Sequence, residues 1–153
     1  MKSYKHILLA TDFSELSEIA ASKAVSLAGY FNARLTLLHV VEHFSDESAV
    51  PMATSENKNT SQFVMEETRE RLKQFSKRIK HQGAILLVRM SIDSAKDAII
   101  QVANETKADL IVIATHNNKG LAVFHDSTTQ TVVDKARCDV LVVRAEALEK
   151  RPP

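Results

Sequence analysis

Four side chains that could do chemistry stand just beyond short apolar runs. Asp12 follows Ile7–Ala10, Asp93 follows Ile85–Val88, Thr115 follows Leu110–Ala114, and Arg144 follows Val140–Val143. An acid, a hydroxyl and a cation at strand ends are the parts of a phosphoryl-accepting site. Such a site needs a second acid beside Asp12 to hold magnesium, and Phe13 stands there; it also needs a lysine where Arg144 lies. Ser127, Thr128 and Thr129 offer three hydroxyls that either bind a small anion or cap a helix. His116 and His125 share one loop without a third partner at ligand spacing, so no metal site is assigned. Cys138 precedes an apolar strand and reads as a small core residue rather than a nucleophile. There is no GxxxxGK motif before Ser or Thr, no GxSxG elbow and no HExxH, so no catalytic residue is assigned.

The elements that would position these residues follow from the hydropathy pattern. Five apolar runs, Ile7–Ala10, Leu35–Val41, Ile85–Val88, Leu110–Ala114 and Val140–Val143, lack strict alternation. Short continuous apolarity predicts strands covered on both faces, as in a parallel sheet. Between them lie helical spacings. Ser14 is the expected N-cap of a helix running to Phe31 with Leu16, Ala20, Ala24 and Leu27 on one face. A second helix carries Met65, Thr68, Leu72, Phe75 and Ile79, with Glu67 and Arg71 expected to pair on its wet face. Lys77, Arg78, Lys80 and His81 complement its carboxyl end. A third helix starts at Asp93 or Ser94, and a fourth near Ser127. The order β-α-β-α-β-α-β-α-β, with crossovers long enough to return parallel, predicts one doubly wound α/β domain of five parallel strands and four helices over residues 1–153, Rossmann-like, with an irregular loop at 42–61.

Composition removes other classes. The chain has 153 residues, 44% hydrophobic and 25% charged, within the range of one folded globule. Lys and Arg number 20 against 19 Asp and Glu, so no net field exists to hold nucleic acid or an anionic membrane. A single cysteine excludes an internal disulfide, and the first apolar run is too short for a signal peptide or a spanning helix. The expected location is cytoplasmic, with neither nucleic acid nor membrane as partner.

Several segments together resemble one family. Tyr4 to Ser14 (YKHILLATDFS) is similar to the opening of the universal stress proteins, whose first strand ends in an aspartate before a serine-capped helix. Ala33 to Val41 resembles their second strand, and Ala108–Ile113 and Cys138–Val143 their fourth and fifth. The resemblance covers about Tyr4 to Arg144 and fades at 42–61. It implies strand order 3-2-1-4-5, with Val140, Leu141, Val142, Val143 and Arg144 on an edge that pairs across a two-fold axis to make a homodimer.

The family divides on nucleotide binding. ATP-binding members carry G-x2-G-x9-G-(S/T) after strand four; here the three glycine places hold Ala114, Asn117 and Ser127, followed by Thr128. In this the chain resembles the universal stress protein A branch, which does not hold ATP through that loop. A Cβ at each close-approach point pushes phosphate outward, and the Asp126 carboxylate repels it and competes for the helix N-terminus. The expectation is therefore a non-enzymatic dimeric regulatory or protective module with no cofactor. The alternative is an ATP- or AMP-binding protein or slow ATPase, whose ligand would be framed by Thr11, Asp12, Val40, Val41, Ala114, Asn117, Ser127, Thr128 and Thr129. Asp12 has a plainer reading too, as a strand-end acid that fixes the turn into the first helix. A receiver-like phosphorelay module is a third, with Asp93 as acceptor.

Overall fold

The structure is a computed structural model that describes residues 3–42, 55–115 and 127–144. Its elements are β1 His6–Ala10, α1 Glu15–Phe31, β2 Arg34–Glu42, α2 Ser55–Arg78, β3 Ile85–Ser91, α3 Ala95–Glu105, β4 Leu110–Thr115, α4 Ser127–Lys135 and β5 Asp139–Arg144. The strands form one sheet in the order β3-β2-β1-β4-β5, every pair parallel. This is the doubly wound, Rossmann-like arrangement expected of the sequence. The chain builds outward from β1 to β3, then crosses back to β4, so the order reverses between β1 and β4.

Side-chain alternation along the central strands divides the core in two. Ile7, Leu9, Leu35, Leu37, Leu110 and Val112 face α1 and α2, where Ala20, Ala21, Ala24, Ala28, Leu72 and Phe75 meet them. Four alanines on one helix face let α1 lie close to the sheet. Leu8, Leu38, Ile111 and Ile113 face the other way, against Ile99, Val102 and Ala103 of α3 and Val132 of α4. Burial on both sides explains why β1, β2 and β4 read as unbroken apolar runs.

The ends of the helices are built from local chemistry. Ser14 caps α1 by accepting from Ser17 N, and Ser94, rather than Asp93, caps α3 by accepting from Asp97 N. Asn32 closes α1 in the left-handed region at φ 52°, a conformation asparagine tolerates. At the amino ends of the strands the Asp109 carboxylate accepts from Lys5 N and His6 N, at 2.9 and 3.0 Å, joining the start of β4 to the start of β1. Beside it His6 is buried; its Nδ1 donates to Thr106 O, and its Nε2 shares a hydrogen bond with Thr36 Oγ1 at 2.7 Å.

Three expectations need correction. The loop expected at 42–61 is helical from Ser55, since α2 runs Ser55–Arg78; its first turns, SENKNTS, are too polar to show an apolar stripe. Residues 43–54 lie outside the described residues. The expected Glu67–Arg71 pair is not among the ion pairs of the described residues; the Arg71 guanidinium instead sits over the Phe13 ring. Finally, β3 is not covered on both faces at its start: it is an edge strand, and Ile85 and Leu86 are exposed. It also extends past Val88 to Ser91, with the Arg89 charge matched by Glu105 on α3 at 2.6 Å.

Candidate functional site

In an open α/β sheet the place for a ligand is the crevice beyond the carboxyl ends of the strands, where the strand order reverses. Here that point lies between β1 and β4, and the turn Thr11–Ser14 forms its wall on the β1 side. The turn is densely bonded. Thr11 Oγ1 accepts from Phe13 N at 3.0 Å and donates to Ser17 Oγ at 2.9 Å. Asp12 Oδ1 accepts from Ser14 N at 3.0 Å, and Ser17 Oγ donates to Ser14 O at 2.7 Å. Thr11 and Ser17 are buried, while Asp12 is exposed. The role of Asp12 as the acid that fixes the turn is thus present in the geometry, and its exposed position leaves it at the crevice as well.

Phe13 makes the turn unusual. It adopts φ 63°, a left-handed conformation that is costly for a bulky residue and persists only where the surroundings over-determine it. Three side chains supply that constraint. His39 of β2 stacks on the Phe13 ring with centroids 4.3 Å apart and planes inclined by 30°. The Arg71 guanidinium of α2 lies over the same ring, Cζ 4.4 Å from its centroid, and Phe75 meets it edge-on at 6.1 Å. Aromatic and cation–π contacts of these kinds contribute about 0.5–1.5 kcal/mol each.

His39 also ties the stack to the turn's backbone. Its Nδ1 lies 2.7 Å from Thr11 O, and a carbonyl only accepts, so Nδ1 carries the proton in the neutral ring. Together with Thr11 N donating to Leu38 O at 2.9 Å, this bond carries the β1–β2 pairing past Ala10, the last residue of β1. Burial pushes the His39 imidazolium below its ordinary value of 6.5, and the Arg71 charge acts in the same direction; the Thr11 carbonyl and Asp12 oppose them.

The other residues singled out in the sequence fall as follows. Val40 packs with the α3–α4 core, whereas Val41, the next residue of an extended strand, projects to the opposite face, so the two do not line one crevice wall. Ala114 lies half-buried near the end of β4, directly across the reversal point from β1. Thr128 and Thr129 stand in the first turn of α4, Thr129 buried. Asn117 and the side chain of Ser127 lie outside the described residues, as do His116, His125 and Asp126. Asp93 is exposed in the turn before α3, and Cys138 packs against the α3–α4 core. Among the described residues no three His, Cys, Asp or Glu side chains gather as a metal site requires. None of the described helices is long and apolar enough to cross a membrane.

Phe13, His39, Arg71 and Ser17 were not singled out as site residues. Only His39 gave a signal, as a polar side chain inside an apolar strand.

Known proteins share this architecture. The model of the universal stress protein family matches residues 3–144. The chain belongs to the universal stress protein family. Universal stress protein A homolog 1 of Coxiella burnetii is 31% identical over 144 residues, covering 92% of this chain and 96% of the relative. Among solved structures, universal stress protein UspA from Lactobacillus plantarum superposes with TM-score 0.64 at 28% identity, over 94% of this chain and 100% of that one. A universal stress protein crystallised in complex with cAMP superposes with TM-score 0.65 at 22% identity, over 93% and 98% of the two chains, which is a likeness of fold.

Proposed function

We propose that the chain is a cytoplasmic, non-enzymatic stress-response module that acts by protein association as a homodimer. The observation that carries this reading is the edge position of β5, which among the described residues pairs only with β4. Val140, Leu141, Val142 and Val143 end the sheet, and β4 is the neighbour to which β5 pairs. An apolar edge strand presents unpaired backbone groups, and closing two of them across a two-fold axis removes both edges at once. Arg144 ends the strand, exposed, where it would meet its symmetry mate's neighbourhood. Light scattering at micromolar concentration tests the proposal: a dimer supports it, and a monomer removes its mechanism.

A second reading has its own support. The crevice sits at the reversal point with Asp12 exposed beside it, and a protein of this fold binds cAMP. Under this reading Asp12, Val40, Ala114 and the start of α4 hold an adenine nucleotide. The glycine places occupied by Ala114, Asn117 and Ser127 argue against gripping a triphosphate, and so favour a monophosphate. Mass spectrometry of ligand released from purified protein separates the readings: stoichiometric AMP or a cyclic nucleotide supports the second, and bound ATP contradicts the steric argument.

A further inference from the structure

We propose that Phe13, His39 and Arg71 form a proton-operated latch on the Thr11–Ser14 turn: the neutral imidazole holds the turn closed, and a second proton on His39 loosens it. Three observations meet at this place. Phe13 is held in a left-handed backbone conformation that its neighbours must maintain. Its ring is engaged at once by the His39 imidazole, at 4.3 Å, and by the Arg71 guanidinium, at 4.4 Å. His39 Nδ1 is bonded at 2.7 Å to the carbonyl of Thr11, the residue whose hydroxyl also accepts from Phe13 N.

In the neutral state one cation and one uncharged ring share Phe13. A proton on Nε2 makes His39 a second cation in a half-buried place, within the field of Arg71. Among the described residues the charged groups acting on it are Arg71 and Asp12. Arg71 from α2 opposes the new charge, Asp12 from the turn favours it, and Val88, its neighbour on β3, brings none. Burial and Arg71 outweigh the Thr11 carbonyl and Asp12, so the closed state disfavours the imidazolium. Arg71 is exposed on the helix surface and can leave, which removes one constraint on a strained residue. The consequence is local: the Asp12–Ser14 segment, and with it the β1 wall of the crevice, becomes proton-dependent. The effect on a ligand rests on the nucleotide reading above, but the latch itself does not.

The test follows the intact chain by NMR from about pH 8 to about pH 5. The His39 ring signals and the amides of Asp12, Phe13 and Ser14 should move together, with a midpoint below 6.5 and a loss of exchange protection at Phe13 N on the acid side. Arg71→Met should raise that midpoint. His39→Asn retains a donor toward Thr11 O but loses the ring and cannot gain a proton, so, whatever its resting amide pattern, the pH transition should vanish. The proposal is overturned if His39 titrates while the turn amides stay fixed, or if His39→Asn leaves the transition in place. Titration with AMP separates the two ideas. A turn that opens with acid yet ignores AMP at every pH keeps the latch and ends the nucleotide reading. AMP that binds wild type and His39→Asn with the same pH-dependence overturns the latch as a control on the crevice.

Discussion

Replacing Ser17 with alanine should disturb the crevice turn from inside the core. Ser17 Oγ accepts from Thr11 Oγ1 at 2.9 Å and donates to Ser14 O at 2.7 Å, and the relative exposures of Ser17 and Thr11 are 1% and 6%. Ser14 O keeps Glu18 N as a donor at 3.2 Å, so that acceptor survives the change. Removing the serine hydroxyl deprives the buried Thr11 hydroxyl of its acceptor, which costs about 1–3 kcal/mol. Alanine returns up to about 0.5 kcal/mol through its better helix propensity. The net loss is about 0.5–3 kcal/mol, and at this chain length each kcal/mol lowers Tm by about 2–4 °C. Urea unfolding of Ser17→Ala, Thr11→Val and the double variant isolates the pairwise part. A coupling of about 0.5–1.5 kcal/mol between the two sites is expected. Additive losses would mean that the two hydroxyls do not depend on one another, which would refute the coupling.

Other perturbations probe separate parts of the molecule. Phe75→Ala empties a site with no solvent exposure that also braces Phe13, so unfolding free energy should fall by about 3–5 kcal/mol in denaturant titration, and the Phe13 amide should lose protection. Asp109→Ala removes an acceptor from Lys5 N and His6 N; a loss of about 1–3 kcal/mol in thermal unfolding is expected, with the start of β1 fraying in hydrogen exchange. Acid stability should carry the His39 signature: its imidazolium is disfavoured in the folded state, so stability is full above 6.5 and declines as pH falls toward the depressed folded value, and His39→Asn should flatten that limb. The alkaline limb belongs to Tyr4, whose hydroxyl donates to Asp139 Oδ2 at 2.8 Å. That bond raises its ionisation above 10.0, so stability is present below that pH and lost above it, and Tyr4→Phe should blunt the loss.

The fold was legible where burial was two-sided. Ile7, Leu8 and Leu9 are inaccessible from either face, so β1 appears in the sequence as an uninterrupted apolar run, as do most of β2 and β4. Legibility failed where one side is wet. Arg89 and Ser91 ended the apparent third strand early, although the backbone continues through them, because an edge strand tolerates polar side chains that a central one cannot. The first turns of α2, SENKNTS, carry no apolar periodicity because they hold no apolar residue. At the site, Ser14 and Asp12 were readable because a cap and an Asx turn are local patterns. The Phe13 stack was not: its partners come from β2 and α2, and nothing near Phe13 in the sequence announces a left-handed phenylalanine. Long-range packing, not local propensity, selects that conformation.

The distribution of backbone donors bears on what the crevice can hold. A helix N-terminus attracts an anion because its first N–H groups lack partners. At the entries to α1 and α3 several donors of this kind are already engaged by the chain's own side chains. Asp12 takes Ser14 N, Thr11 takes Phe13 N, and Ser14 takes Ser17 N at the entry to α1. At the entry to α3, Glu42 Oε1 takes Ala95 N at 2.8 Å and Ser94 takes Asp97 N. Two of these acceptors are carboxylates, so an incoming phosphate would have to displace a negative charge as well as a hydrogen bond. A triphosphate would meet that cost at each of these contacts. A small ligand that meets the crevice with an apolar ring would not meet it at all, and a second copy of the chain arriving at β5 would approach from the opposite edge of the sheet, away from these donors.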